Sequence, residues 1–193
     1  MKTAGLILAA GNSRRMGEDN KLLLPFKGKP ILSHVLEASL DSNLNHTCVV
    51  IGYDRLNIKK LLVNKEIQIV TNQEWSLGMA SSIVAGVSHL KEYDGILILM
   101  GDMPLVTPEL INKIIIHGAT DKIVLPVKDA QKGNPVFFGS NFMHELVTIE
   151  GDRGARKVIQ SNSPCILKVE VKSDAIFRDF DTHDKLNEYG GTE

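Results

Sequence analysis

Five short stretches of the chain are apolar with little or no interruption: Gly5 to Ala10, Cys48 to Ile51, Ile67 to Val70 (broken by Gln68), Gly95 to Met100 and Ile123 to Val127. A strand with one wet face alternates polar and apolar residues, whereas a strand covered on both faces does not. The runs therefore predict a parallel sheet with helices on both sides. The intervening segments carry helical spacing. Pro30 to Leu40 sets Ile31, Val35, Leu36 and Leu40 near one face, and Met79 to Leu90 spaces Ile83, Val87 and Leu90 helically. Pro108 to Ile116 groups Leu110, Ile111, Ile114 and Ile115, with Thr107 as N-cap and Pro108 in the first helical position. Ile58 to Leu62 predicts a shorter helix.

This rhythm of strand and helix predicts an α/β fold: a single-domain, three-layer sandwich with a mostly parallel central sheet. Ligands are then expected beyond the carboxyl ends of the strands. After residue 127 the pattern loosens. Val136-Phe137-Phe138 and Leu167 to Val171 read as added strands, some of them antiparallel, and Arg153 to Gln160 as a helix. One domain is expected over residues 1–189, with a frayed tail at 190–193.

Composition narrows the function classes. The 193 residues hold 22 Lys+Arg against 23 Asp+Glu, which gives no ground for a nucleic-acid coat or a polybasic membrane binder. Neither of the 2 cysteines belongs to a CxxC pair, so a zinc site and a disulfide framework are not expected. Cys48 reads as a core residue and Cys165 as strand packing. Met1-Lys2-Thr3 followed by an apolar run reads as a buried first strand rather than a secretion signal. No stretch approaches the ~20 apolar residues of a membrane span. The cytoplasm is the expected compartment. Most of the 6 histidines fall on helical stretches and read as surface or packing residues, and Trp75 as a packing anchor.

Two stretches carry candidate chemistry. Leu8-Ala9-Ala10-Gly11-Asn12-Ser13-Arg14-Arg15-Met16-Gly17, with Lys21 beyond, follows directly on a buried strand. Its small residues let backbone N–H groups approach a ligand, and Ser13, Arg14, Arg15 and Lys21 add a hydroxyl and cations. That combination suits a phosphate chain. Neither the Walker A nor the dinucleotide pattern is present. The second stretch, Ile96 to Met100 followed by Gly101-Asp102-Met103-Pro104, puts a carboxylate at the end of a buried strand. Mg²⁺ is held by one or two such carboxylates together with substrate phosphates. Taken alone, Asp102 reads equally as a turn cap; beside a phosphate loop it reads as a metal anchor.

These stretches, together with Gly78-Met79-Ala80-Ser81-Ser82, Lys132-Gly133-Asn134-Pro135-Val136 and Gly151-Asp152-Arg153-Gly154-Ala155-Arg156, occur in an order that resembles the MobA-like nucleotidyltransferases. Within them the chain is most similar to the molybdenum cofactor cytidylyltransferase branch, over about residues 4–188. The resemblance implies the nucleotide-diphospho-sugar transferase (Rossmann-like) fold. It implies a reaction in which CMP passes from CTP to the terminal phosphate of molybdopterin, or the molybdenum cofactor, with release of pyrophosphate. A recipient molybdoenzyme is implied beyond that.

The same resemblance implies roles for individual residues. Leu8, Ala9, Ala10, Gly11, Ser13, Arg15 and Lys21 correspond to the triphosphate loop, and Gly78, Met79 and Ser82 to the segment near base and ribose. Asp102 corresponds to the Mg²⁺ ligand, with Asp181 second. Arg15, Lys21 and Asp102 become the catalytic set, and Lys132, Asn134, Asp152, Arg153 and Arg156 the acceptor wall. The chain continues Thr182-His183-Asp184-Lys185-Leu186 where the family often has Thr-Pro-Glu-Asp-Leu, which leaves both Asp179 and Asp181 open as second ligand. Ala-Ala-Gly at 9–11, against Ala-Gly-Gly in guanylyl-type relatives, favours CTP. The rival readings are a GTP-using guanylyltransferase, a cytidylyltransferase for another phosphorylated small molecule, and a non-catalytic nucleotide-binding chaperone for molybdoenzymes.

Overall fold

The alternation expected from the apolar runs is the alternation that forms. The computed structural model describes residues 1–12 and 20–180. Its strands are β1 (Thr3–Ala9), β2 (Pro25–Phe26), β3 (Lys29–Pro30), β4 (His46–Ile51), β5 (Gln68–Thr71), β6 (Gly95–Met100), β7 (Ile123–Lys128), β8 (Gln131–Lys132), β9 (Val136–Gly139) and β10 (Ile166–Glu170). Its helices are α1 (Ile31–Leu40), α2 (Arg55–Leu62), α3 (Met79–Val87), α4 (Pro108–Ile115), α5 (Met143–Leu146) and α6 (Arg156–Ser161). None of these helices is long and apolar enough to cross a membrane.

The main sheet runs β10-β7-β9-β6-β1-β4-β5, with β8 folded back on β7, while β2 and β3 form a separate ribbon. β1 pairs in parallel with β4 on one side and β6 on the other. β9 is antiparallel to both β6 and β7, as the Val136-Phe137-Phe138 run allowed. β10 is parallel to β7.

Both faces of the sheet are covered, which explains the apolar runs. Ile7 and Ala9 of β1 join a core with Leu32, Val35 and Leu36 of α1, Ile58 and Leu62 of α2, and Leu110, Ile111 and Ile114 of α4. Leu6, Leu8 and Ala10 face the opposite core, with Ile83 and Val87 of α3, Met143 and Leu146 of α5, and Val158 of α6. Cys48 lies in that second core, and burial pushes its thiol up to about 12. It is a packing residue. Cys165 ends a 3-10 turn over Ser163–Cys165 just before β10, rather than lying in a strand.

Other differences from the sequence pattern have local causes. The helix expected from Arg153 begins only at Arg156, because Gly151 and Gly154 hold left-handed backbones at φ 79° and 54°. The helix expected to Leu90 ends at Val87 and continues as a turn. The β2–β3 ribbon turns on Lys27 and Gly28, both at positive φ, a hairpin signal the apolar pattern does not carry.

Thr107 caps α4 as its sequence predicts, its hydroxyl accepting the Leu110 N–H at 3.3 Å. Thr107→Ala is expected to cost about 1 kcal/mol of stability, read as a shift in the denaturant midpoint at unchanged slope. An unshifted midpoint would show that the cap contributes nothing.

Candidate active site

From β1 the chain proceeds to β4 on one side, while β6 arrives on the other, so the strand order reverses between β1 and β6. A crevice opens at the carboxyl ends of strands at such a point. A cleft of about 600 Å³ lies there. Leu8, Ala10, Gly11 and Asn12 form its β1 wall, and Met100 and Asp102 its β6 wall. Lys21, Trp75, Leu77, Gly78, Met79, Ser82, Asp152 and Asp179 also line it.

Asp102 is set by tight backbone packing. Gly101 N–H donates to the Leu8 carbonyl at 3.0 Å. A Cβ at Gly101 would lie 2.7 Å from that same oxygen, so this close approach requires glycine. On its other side the Asp102 carbonyl accepts the Phe180 N–H at 3.0 Å. Phe180 is buried against Phe26, with ring centroids 4.9 Å apart. The anchored ring brings Asp179, its neighbour, to the cleft wall.

The Asp102 carboxylate has two differently placed oxygens. Oδ2 accepts from Lys21 Nζ at 2.5 Å, with side-chain exposures of 15% for the lysine and 13% for the aspartate. Oδ1 is buried and has no hydrogen-bond partner among the described residues. A buried carboxylate oxygen left unmatched is costly unless something cationic meets it. Of the described lining residues, three are carboxylates (Asp102, Asp152, Asp179) and one, Lys21, is a cation. No group of three His, Cys, Asp or Glu among the described residues forms a full metal cage. The donor set suits a cation that binds through one or two carboxylates and completes its shell with water and ligand oxygens, as Mg²⁺ does.

Lys21 is positioned by a short turn over Lys21–Leu23. Asn20 caps it, Oδ1 accepting the Leu22 N–H at 3.1 Å. The opposite wall is the segment from β5 to α3. Buried Asn72 organises it: Nδ2 donates to Ser81 Oγ at 2.8 Å and Ser82 Oγ at 3.1 Å, and Oδ1 accepts the Glu74 N–H at 2.9 Å. Trp75 packs edge-on to Tyr53, with ring centroids 5.4 Å apart. Gly52 makes the room, since a Cβ there would lie 2.6 Å from Trp75 Cβ and 2.9 Å from Ala10 Cβ. Sequence reasoning found neither Asn72 nor Gly52.

Leu8, Ala10, Gly11, Lys21, Gly78, Met79, Ser82, Asp102 and Asp152 thus converge on one cleft. Ala9 does not line it; its side chain lies in the core under α1, α2 and α4, leaving only its backbone near the loop. Ser13, Arg15 and Asp181 lie outside the described residues. Arg153 and Arg156 border a second cavity of about 750 Å³, with Lys157. Lys132 is exposed on β8, and Asn134 N–H donates to the Ile176 carbonyl at 3.0 Å. Neither of these two lines either cavity. His34 bonds the Phe26 carbonyl oxygen and His89 the Ala85 carbonyl oxygen, away from the cleft.

Gly78 holds φ 104° and ψ −179°, a region essentially restricted to glycine. Gly78→Ala is expected to cost about 1–3 kcal/mol, read by denaturant unfolding. A cost near zero would mean that the segment relaxes freely.

Comparison with known proteins agrees with this architecture. Residues 5–165 match the MobA-like NTP transferase domain, and the chain belongs to that family. It is a nucleotidyltransferase of a family that uses nucleoside triphosphates. It is 30% identical to the purine catabolism protein PucB of Bacillus subtilis, covering 95% of this chain and 93% of PucB. It is 23% identical to the nicotine blue oxidoreductase of Paenarthrobacter nicotinovorans, covering 94% and 93%. Against the bifunctional protein GlmU of Janthinobacterium sp. it is 33% identical over 69% of this chain, and spans only 29% of GlmU. Among solved structures, the manganese complex of Mycobacterium tuberculosis Rv0371c superposes with a TM-score of 0.84 at 22% identity, covering 98% of both chains. A nucleotidyl transferase from Methanothermobacter superposes with a TM-score of 0.86 at 19% identity, over 97% and 95%. These two likenesses are of fold.

Proposed function

We propose that this chain transfers CMP from CTP to the terminal phosphate of molybdopterin, with or without bound metal, and releases pyrophosphate in the cytoplasm. The observation that carries the transfer chemistry is the Asp102 carboxylate, with Oδ2 on Lys21 and Oδ1 unmatched in a cleft at the strand switch point. Asp102, with Asp179 or Asp181, would hold Mg²⁺. When bound there, the ion would neutralise charge on the triphosphate oxygens.

This chain's own residues align the reactants. An oxygen of the acceptor phosphate attacks the α-phosphorus of CTP, and the bond from that phosphorus to the bridging oxygen of pyrophosphate breaks. A phosphate monoester is already partly ionised at neutral pH (second pKa about 6), so no general base is assigned. Lys21, held beside Asp102, places positive charge where charge builds on the transferring group and on pyrophosphate. The backbone at Ala10 to Asn12 faces the phosphates. Arg153 and Arg156, in the adjoining cavity, offer the acceptor's anionic groups planar cationic donors.

The choice of CTP rests on Ala10. Its methyl stands in the cleft wall, and the contact of Gly52 with Ala10 and Trp75 leaves that wall little room to retreat. Such a methyl discriminates by only ~1–3 kcal/mol.

The test is pyrophosphate release with Mg²⁺ and molybdenum cofactor, comparing CTP, GTP, ATP and UTP. Molybdopterin-dependent release with CTP is expected. A preference for GTP would overturn the base assignment and leave the transfer chemistry standing. No release from folded, nucleotide-binding protein would favour the carrier that hands cofactor to a molybdoenzyme.

A further inference from the structure

The first N–H groups of a helix have no partner within it, and a side chain just before the helix usually supplies one. Gly78 stands at that position in α3 and has no side chain to offer. The acceptors come from far along the chain instead. Asp152 Oδ1 accepts the Met79 N–H at 3.3 Å, and the Gly151 carbonyl accepts the Ala80 N–H at 3.0 Å.

Glycines make this contact possible on both sides. A Cβ at Gly78 would lie 2.8 Å from Gly151 O and 2.9 Å from its carbonyl carbon. A Cβ at Gly154, which holds φ 54°, would lie 2.7 Å from Met79 Sδ. Asp152 also borders both cavities, the cleft of about 600 Å³ and the arginine-lined one of about 750 Å³.

We propose that Asp152 is a positioning residue. Its carboxylate caps α3 from outside and ties residues 78–82, which wall the nucleotide cleft, to residues 151–156, which wall the second cavity. A carboxylate at a helix amino end is favoured by the helix dipole as well as by the hydrogen bond. Because the two walls are joined, the ligand that orders one wall also orders the other. The second ligand then meets less ordering cost, which is positive coupling between the cavities. This role rests on the reading of the cleft as a nucleotide site. It differs from a role as direct acceptor ligand, because Asp152 acts through Met79.

Hydrogen exchange separates these roles, using CTP with Mg²⁺ as probe and no acceptor. In the unliganded protein, Asp152→Ala is expected to speed exchange at Met79, whose N–H loses its acceptor, about five- to tenfold, the scale of one charge-assisted hydrogen bond. Asp152→Asn keeps an oxygen acceptor and is expected to remain within about twofold of wild type at that amide. Asp152 is exposed, so both variants should fold. In wild type, CTP is expected to protect 78–82 and 151–156 together, and in Asp152→Ala to protect 78–82 alone. Unchanged exchange at Met79 in Asp152→Ala overturns the cap. Protection of 78–82 alone in wild type overturns the coupling. If wild type binds no nucleotide, the nucleotide reading fails and takes the coupling with it, while the unliganded comparison still decides the cap.

Discussion

Asp102→Asn is expected to lower turnover about 10²–10³-fold, the usual scale for removing one electrostatic group from a reacting centre. The substitution keeps the shape and removes the negative charge. It also sets an amide beside the Lys21 ammonium, which lies 2.5 Å from Oδ2 in the native pair. An amide turned to offer its oxygen to Lys21 presents its NH₂ at the position of Oδ1, which is buried without a described partner. Two donors cannot receive a cation there. The expected signature is a fall in kcat, together with loss of the dependence of turnover on Mg²⁺ concentration over the range that saturates wild type. Wild-type turnover with unchanged metal dependence would remove Asp102 from the site.

Lys21→Ala is the second large effect, again expected at about 10²–10³-fold in turnover. The turn over Lys21–Leu23 is held by the Asn20 cap and the packing of Leu22, so the fold should survive. Losing the ammonium leaves a largely buried carboxylate with less compensation, at an expected cost of about 1–3 kcal/mol. Because Lys21 and Asp102 act as one unit, the double variant is expected to be scarcely slower than the worse single variant. Fully additive losses would mean that the two groups serve separate steps. Near-normal turnover in Lys21→Ala would remove it from the mechanism.

Much of this site is legible because its walls are strand ends. An unbroken apolar run such as Gly95 to Met100 announces a strand covered on both faces, and β6 spans those same residues. Asp102 beyond its end is then placed by topology alone. Helix α4 was equally legible, since Thr107 and Pro108 mark its start.

What was not legible depends on residues far apart in the chain. Nothing around Gly52 says that Trp75 and Ala10 meet over it. Asn72 looks like an ordinary loop residue until Ser81 and Ser82 turn back to it. Gly151-Asp152-Arg153 reads as the start of a helix with its charges on one ligand. Two left-handed glycines delay the helix to Arg156 and turn Asp152 onto the Met79 N–H, so that it borders the Asp102 cleft as well as the cavity it shares with Arg153 and Arg156. The pattern of apolar positions carries periodicity within an element; it carries no record of which loops touch.

The most direct test of the account follows the α-phosphorus. CTP labelled with ³²P at the α position, incubated with Mg²⁺, molybdopterin and the enzyme, is predicted to place its label in a molybdopterin–CMP conjugate, with unlabelled pyrophosphate formed in equal amount. Label recovered in CDP, with the γ-phosphate released or passed to the acceptor, would contradict attack at the α-phosphorus and with it the proposed reaction.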